Sequence, residues 1–180
     1  LVTDPIECIE PEGIRSRTGQ LYPADVIIYA TGFKSTDFLA PMQITGRGGL
    51  DLKQVWARGA RAYLGVTVTG FPNFFMMYGP NTNLGHNSII FMIEAQVRYA
   101  VRCIRALAEK RLRFLDVRPE AQRRFNAGLQ RELEKTAWAA GCKSWYKTAS
   151  GKITNNWSSS TLAYWWKTRR PKLDDFEQAS

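Results

Sequence analysis

Residues 74–93 read FFMMY, then GPNTNLGHNS, then IIFMI, and that order constrains the chain more than any other stretch. The opening apolar run suits a strand. The middle segment is made of turn formers, with Gly79, Pro80, Asn81 and Gly85 where backbone must bend sharply or approach another group closely. From there Ile89, Ile93, Val97, Ala100, Ile104 and Leu107 recur every three or four positions, which predicts a long amphipathic helix. Asn87 or Ser88 supplies its cap. Its first turns are apolar all round and are expected to be buried, while Arg98, Arg102 and Arg105 mark the exposed half. A helix start carries free N–H groups and partial positive charge, so it can hold an anion or a reduced, negatively charged ring. An ordinary strand-to-helix turn has the same local pattern.

The rest of the chain reads as further α/β structure. Turn signals at Glu12-Gly13 and Thr18-Gly19 separate short strands in residues 1–30. Residues 26–30, VIIYA, form a continuous run of the kind found in a strand covered on both faces, ending at Thr31-Gly32. Small residues at a strand end admit a cofactor that larger side chains would exclude. Residues 62–68 and 74–78 are expected to be strands, with Met76 and Met77 in the core, and residues 51–57 a short helix. A second helix should follow Pro119, with Phe125, Leu129 and Leu133 on one face and Gly141 at its end. Beyond Cys142 no period persists, yet the tail is too aromatic for disorder and is expected to pack as an ordered excursion.

Charge is unevenly spread. Residues 1–100 balance, and residues 101–180 carry the whole net charge of +9 together with five of the six tryptophans. Such a tail suits an anionic partner, whether nucleic acid, membrane surface or phosphorylated cofactor, or a solvated basic face. Cys8, Cys103 and Cys142 are odd in number and widely spaced, which suits inert thiols in a reducing cytoplasm. With a single histidine, His86, no metal site is expected. His86 is assigned to loop packing or pocket lining, and Glu94 and Arg98 to a helix-surface pair.

Three segments carry a family resemblance. DVIIYATGF (25–33) resembles the ATG-type strand of two-dinucleotide-domain flavoproteins. GFPNFFMMYGPNTNLGHNSIIFMIEAQVRYAV (70–101) resembles the final strand, flavin-contacting loop and helix of Baeyer–Villiger monooxygenases, the class B flavin-dependent enzymes. SWYKTASGKITNNW (144–157) resembles their mobile segment over the nicotinamide cofactor. The implied fold is α/β: part of a Rossmann-like FAD-binding domain over residues 1–115 with a β-meander, and a helical, irregular C-terminal extension over 116–180.

The resemblance implies FAD and NADPH as cofactors. It places Thr31, Gly32, Gly79, Pro80 and Asn81 against the flavin, with the helix start at Ser88 and Ile89 aimed at its pyrimidine edge. Leu84, Gly85 and His86 would face the substrate, and Trp145 would cover NADPH, with Lys143 and Lys147 assisting its phosphates. The implied activity transfers one atom of O2 to a ketone or a soft heteroatom through a peroxide formed on the flavin. The sequence has no GxGxxG, and Gly46-Arg47-Gly48-Gly49 does not match it. The family's Gly-, His- and Trp-rich fingerprint and its active-site arginine lie upstream of the segments matched here. The chain is therefore expected to depend on an N-terminal part of the same enzyme, to supply no catalytic residue itself, and to be inactive alone. No nucleic-acid or membrane partner is expected. Two other classes stay open at this point: a basic, aromatic nucleic-acid-binding module and a non-catalytic scaffold.

Overall fold

A computed structural model describes residues 1–141 and 144–179, which form two compact units divided after Phe33. The first is the expected meander. Strands β1 (Ile6–Glu10), β2 (Gly13–Ser16) and β3 (Leu21–Pro23) pair antiparallel in the order β1-β2-β3. Gly13 is required at the first turn, because a Cβ there would lie 2.1 Å from the Tyr22 carbonyl oxygen. Arg15 on β2 closes the first pair by reaching Glu10 at 2.7 Å.

The expected strand at residues 26–30 does not form. No strand is present between residues 24 and 34, and Val26, Ile28 and Tyr29 are 76%, 86% and 72% exposed. β-branched residues fit a pleated, half-buried surface, but they cannot supply the neighbouring strands that make one. Among the described residues none lies alongside.

The second unit holds α1 (Leu52–Val55), α2 (Ile89–Glu109), β4 (Phe114–Val117), α3 (Pro119–Leu133), α4 (Thr161–Thr168) and β5 (Phe176–Ala179). Asp51 caps α1, its side chain accepting the Lys53 N–H at 2.8 Å, inside the span expected for a short helix. Residues 62–68 are not a strand. Leu64 and Gly65 both have positive φ, 54° and 69°, so the chain reverses between Tyr63 and Thr67, which bridge each other. The hairpin-like turn breaks the apolar run in its middle. Residues 74–78 also lack ladder partners. They are held by the Met76 N–H on the Val66 carbonyl and the Tyr78 N–H on the Gln96 side chain. Met76 is buried as expected, though not on a strand.

Helix α2 starts at Ile89 with Ser88 as its cap, the side chain accepting the Phe91 N–H at 3.3 Å. Its buried face differs from the expected stripe. Met92, Ala95, Gln96, Tyr99, Ala100 and Cys103 are inside, whereas Ile90, Val97 and Ile104 are 65%, 45% and 53% exposed. A helix start that is apolar all round specifies no facing by itself, and packing of Met92 and Tyr99 decides it. Arg98 pairs with Glu94 at 3.0 Å on the surface, as its spacing implies.

Helix α3 begins with Pro119 and buries Leu129 and Leu133. It stops at Leu133 and not at Gly141. The Thr136 hydroxyl and N–H both donate to the Leu133 carbonyl, turning the chain into the 3-10 segment Ala137–Ala139. The tail is ordered, as expected: α4 is capped by Ser160, and β5 pairs antiparallel with β4. Trp157 and Tyr164 sit fully buried beside Leu84, Met92, Leu129 and Leu133. Burying aromatic side chains of this size is worth roughly 1.5–3 kcal/mol each. No described helix is long and apolar enough to cross a membrane.

Candidate cofactor-binding site

In the second unit the loop that precedes α2 is clamped by a strap at residues 153–157. The Asn81 N–H donates to the Thr154 carbonyl at 2.7 Å, Asn83 N–H to the Asn155 carbonyl at 2.9 Å, and Trp157 N–H to the Asn83 carbonyl at 2.8 Å. Asn83 and Asn156 form a parallel bridge. The Asn81 amide adds two bonds, to the carbonyls of Ile153 and Asn156 at 2.9 and 3.0 Å. Asn81 has φ 59°, a left-handed conformation that asparagine tolerates better than most residues.

Behind the loop the packing leaves no slack. A Cβ on Gly79 would come within 2.2 Å of the Gly65 carbonyl oxygen and 2.6 Å of the Met76 sulfur. A Cβ on Gly65 would meet the Thr82 methyl at 2.1 Å. The Thr82 hydroxyl in turn donates to the Gly79 carbonyl at 2.8 Å. The two glycines thus let the 62–68 turn and the 79–83 loop touch through their backbones.

The junction also holds buried polar atoms with no partner among the described residues: Asn81 Oδ1, Thr154 Oγ1 and both side-chain polar atoms of Asn156. Buried polar groups are nearly always satisfied, so several orphans together mark a place where another polar group belongs. Helix α2 starts beside this loop with no acidic residue in its first turn, so its positive end is not neutralised locally.

Gly79, Pro80 and Asn81 are buried at this junction, and Ser88 and Ile89 open the helix next to it. Leu84 is 9% exposed and lies in the core with Trp157, whereas Gly85 and His86 are exposed. Trp145 is 54% exposed and stacks obliquely on Tyr146 with ring centres 4.3 Å apart. Its carbonyl accepts the Ser35 hydroxyl at 2.6 Å. The Lys147 ammonium donates to the Ala139 carbonyl at 3.1 Å and also to that of Ala140, so it closes the 3-10 segment. Lys143 lies outside the described residues. Thr31 and Gly32 are exposed in the first unit.

Asn155, Asn156, Thr154 and Gln96 were not singled out by their sequence pattern. The signals that could have found them are a glutamine within the apolar first half of α2 and a doubled asparagine immediately before a tryptophan.

The fold is shared with solved structures of a steroid monooxygenase and a cyclohexanone monooxygenase, with TM-scores of 0.79 and 0.80. No protein-family model matches the chain. An FAD-binding monooxygenase of Aspergillus niger is 44% identical over 181 residues, covering 98% of this chain and 30% of its own length. A Baeyer–Villiger monooxygenase of Pseudomonas aeruginosa is 38% identical over 172 residues, covering 94% of this chain and 33% of its own. The solved structure of OTEMO in complex with FAD and NADP superimposes with a TM-score of 0.80 at 27% identity, over 98% of this chain and 33% of that one. The chain is a C-terminal portion of a Baeyer–Villiger-type flavoprotein, and it spans about 30% of the length of the curated relatives it matches.

Proposed function

We propose that this chain forms the flavin-facing loop and the nicotinamide-covering strap of an FAD- and NADPH-dependent monooxygenase acting on a ketone or a soft heteroatom. The observation that carries it is the lock between residues 79–83 and 153–157 at the start of α2, with unpartnered Asn81, Thr154 and Asn156 atoms gathered there. Those residues fit such a cofactor: the loop is too tight for side chains, and the helix start offers uncompensated positive charge. FAD, reduced by NADPH, supplies the oxygen-activating chemistry when bound.

The protein's own part is binding, orientation and exclusion of water. Gly79, Pro80 and Asn81 present backbone to the ring, and the α2 N–H groups at Ser88 and Ile89 stabilise negative charge at its pyrimidine edge. Trp145 and Tyr146 cover the nicotinamide side, with Lys143 and Lys147 toward the phosphates. The present contacts of Lys147 with the Ala139 and Ala140 carbonyls are exchanged for phosphate in this arrangement. Gly85 and His86 face the substrate above Leu84. Thr31 and Gly32 approach FAD from the segment after the meander. Residues 1–115 belong to the FAD-binding domain and 116–180 to its extension, and the N-terminal part of the same enzyme supplies the remaining cofactor contacts. In this reading the setting is cytoplasmic.

The test is a visible absorption spectrum of the whole protein carrying these residues. Oxidised-flavin bands that bleach with NADPH under argon and return with air are the expected result. A colourless protein that takes up no added FAD overturns the proposal.

A further inference from the structure

Away from this loop, α3 and α4 enclose a groove of about 510 Å³ whose charge is one-sided. Its rim carries Arg124 from α3, and Lys167, Arg169, Arg170 and Lys172 from the end of α4 and the turn beyond it. Among the described residues the only carboxylate lining it is Asp175, and that group is already engaged. It accepts the Tyr63 hydroxyl at 2.7 Å and pairs with Arg124 at 2.8 Å. Lys167, Arg169, Arg170 and Lys172 have no carboxylate partner among the described residues.

The floor has a different character. Leu64, Ala121 and Phe125 are apolar, and the exposed Trp166 forms a wall. The Arg169 guanidinium lies 3.4 Å from the centre of the Trp166 ring, which fixes its plane. The Arg169 carbonyl is bound from behind by the Arg102 side chain, which anchors the turn. Clustered like charges repel one another, so four unpaired cations around one concavity carry a standing cost that a bound anion relieves. Planar guanidiniums suit phosphate oxygens in paired hydrogen bonds.

We propose that this groove binds a phosphorylated small molecule with an apolar or aromatic body, its phosphate on Arg169 and Arg170 and its body against Phe125 and Trp166. The shape favours a small molecule over nucleic acid. The cations converge on one concavity within the size range of ligand pockets, instead of running along a stripe that could follow a phosphate backbone. This inference does not rest on the flavin assignment.

The experiment uses the whole protein saturated with FAD and NADP+, so that neither cofactor site responds. Phenyl phosphate and inorganic phosphate are titrated by calorimetry in low salt. Phenyl phosphate should bind one saturable site, at least tenfold tighter than inorganic phosphate, and weaken as salt rises. Arg169→Gln combined with Arg170→Gln should weaken it tenfold or more, as Lys172→Gln should to a lesser degree, while Arg98→Gln on the outer face of α2 leaves it unchanged. Absence of saturable binding overturns the proposal, as does equal affinity for the two phosphates or wild-type affinity in both groove variants. Displacement of phenyl phosphate by a short single-stranded oligonucleotide of higher affinity also overturns it, in favour of a nucleic-acid surface.

Discussion

The side-chain amide of Asn81 donates to the main-chain carbonyl of Ile153 at 2.9 Å, joining positions 72 residues apart. The same amide reaches the Asn156 carbonyl, and the Asn81 backbone N–H reaches that of Thr154. One residue with positive φ therefore ties the loop before α2 to the strap that follows Trp145 and Tyr146. Displacing the strap must break these bonds or carry the loop with it.

Replacing Asn81 with Ala removes both amide bonds, strips the buried Asn156 carbonyl of its donor while Gln130 still serves that of Ile153, and puts a residue with less tolerance into left-handed backbone. The expected cost is about 2–4 kcal/mol, from roughly 1–3 kcal/mol for stranded polar groups and about 1 kcal/mol for the backbone. The denaturant midpoint should fall, and FAD retained through purification should fall with it. Unchanged flavin content alongside a lower midpoint would separate the fold's need for Asn81 from the cofactor's.

Gly79→Val should be more damaging than its modest volume suggests. The new Cβ has a backbone oxygen 2.2 Å away and the Met76 sulfur 2.6 Å away, and backbone cannot swing aside as a side chain can. The flavin-to-protein absorbance ratio should drop by at least half. A fully flavinylated variant would remove Gly79 from the cofactor assignment.

Trp145→Ala should act on the nicotinamide and spare the flavin. Trp145 is 54% exposed and its loss leaves the core clusters intact. The apparent KM for NADPH should rise severalfold while flavin content and melting temperature stay near wild type. If KM holds and kcat alone falls, the strap's role lies elsewhere.

Alkaline pH should destabilise the fold. Burial holds the phenols of Tyr63, Tyr99 and Tyr164 above their ordinary value of 10.0, and pushes the Cys103 thiol up from 9.0 to about 12. Above pH 9 the unfolded chain releases these protons while the folded chain keeps them. The stabilisation is therefore complete below pH 9 and is lost progressively as pH rises toward 12. The urea midpoint should fall across that window. Tyr99→Phe should flatten the fall, because it removes one of the buried phenols whose proton the folded chain retains. A midpoint that is flat with pH, or a slope unaltered by Tyr99→Phe, would refute this account.

Local chemistry settled much of this chain in advance. The start of α2 at Ser88-Ile89, Pro119 at the head of α3 and the Glu12-Gly13 turn of the meander follow from capping, proline geometry and glycine freedom, and all three act within a few residues. The order of the three resembling segments, with Gly79, Pro80 and Asn81 in the middle one, was equally legible. Other features were decided only by the tertiary structure. Residues 26–30 have strand-forming side chains but no neighbouring strand, because pairing is a property of the partner as well as of the sequence. Residues 62–68 are mostly apolar and rich in strand formers, yet turn at Leu64-Gly65, where the Tyr164 hydroxyl bonds the Leu64 carbonyl at 2.6 Å. Which side of α2 faces inward, and the meeting of Asn81 with Thr154 and Asn156, depend on packing between segments distant in sequence. Periodicity reports that a helix has an apolar face. Only the shape of the space around Met92 and Tyr99 determines which face it is.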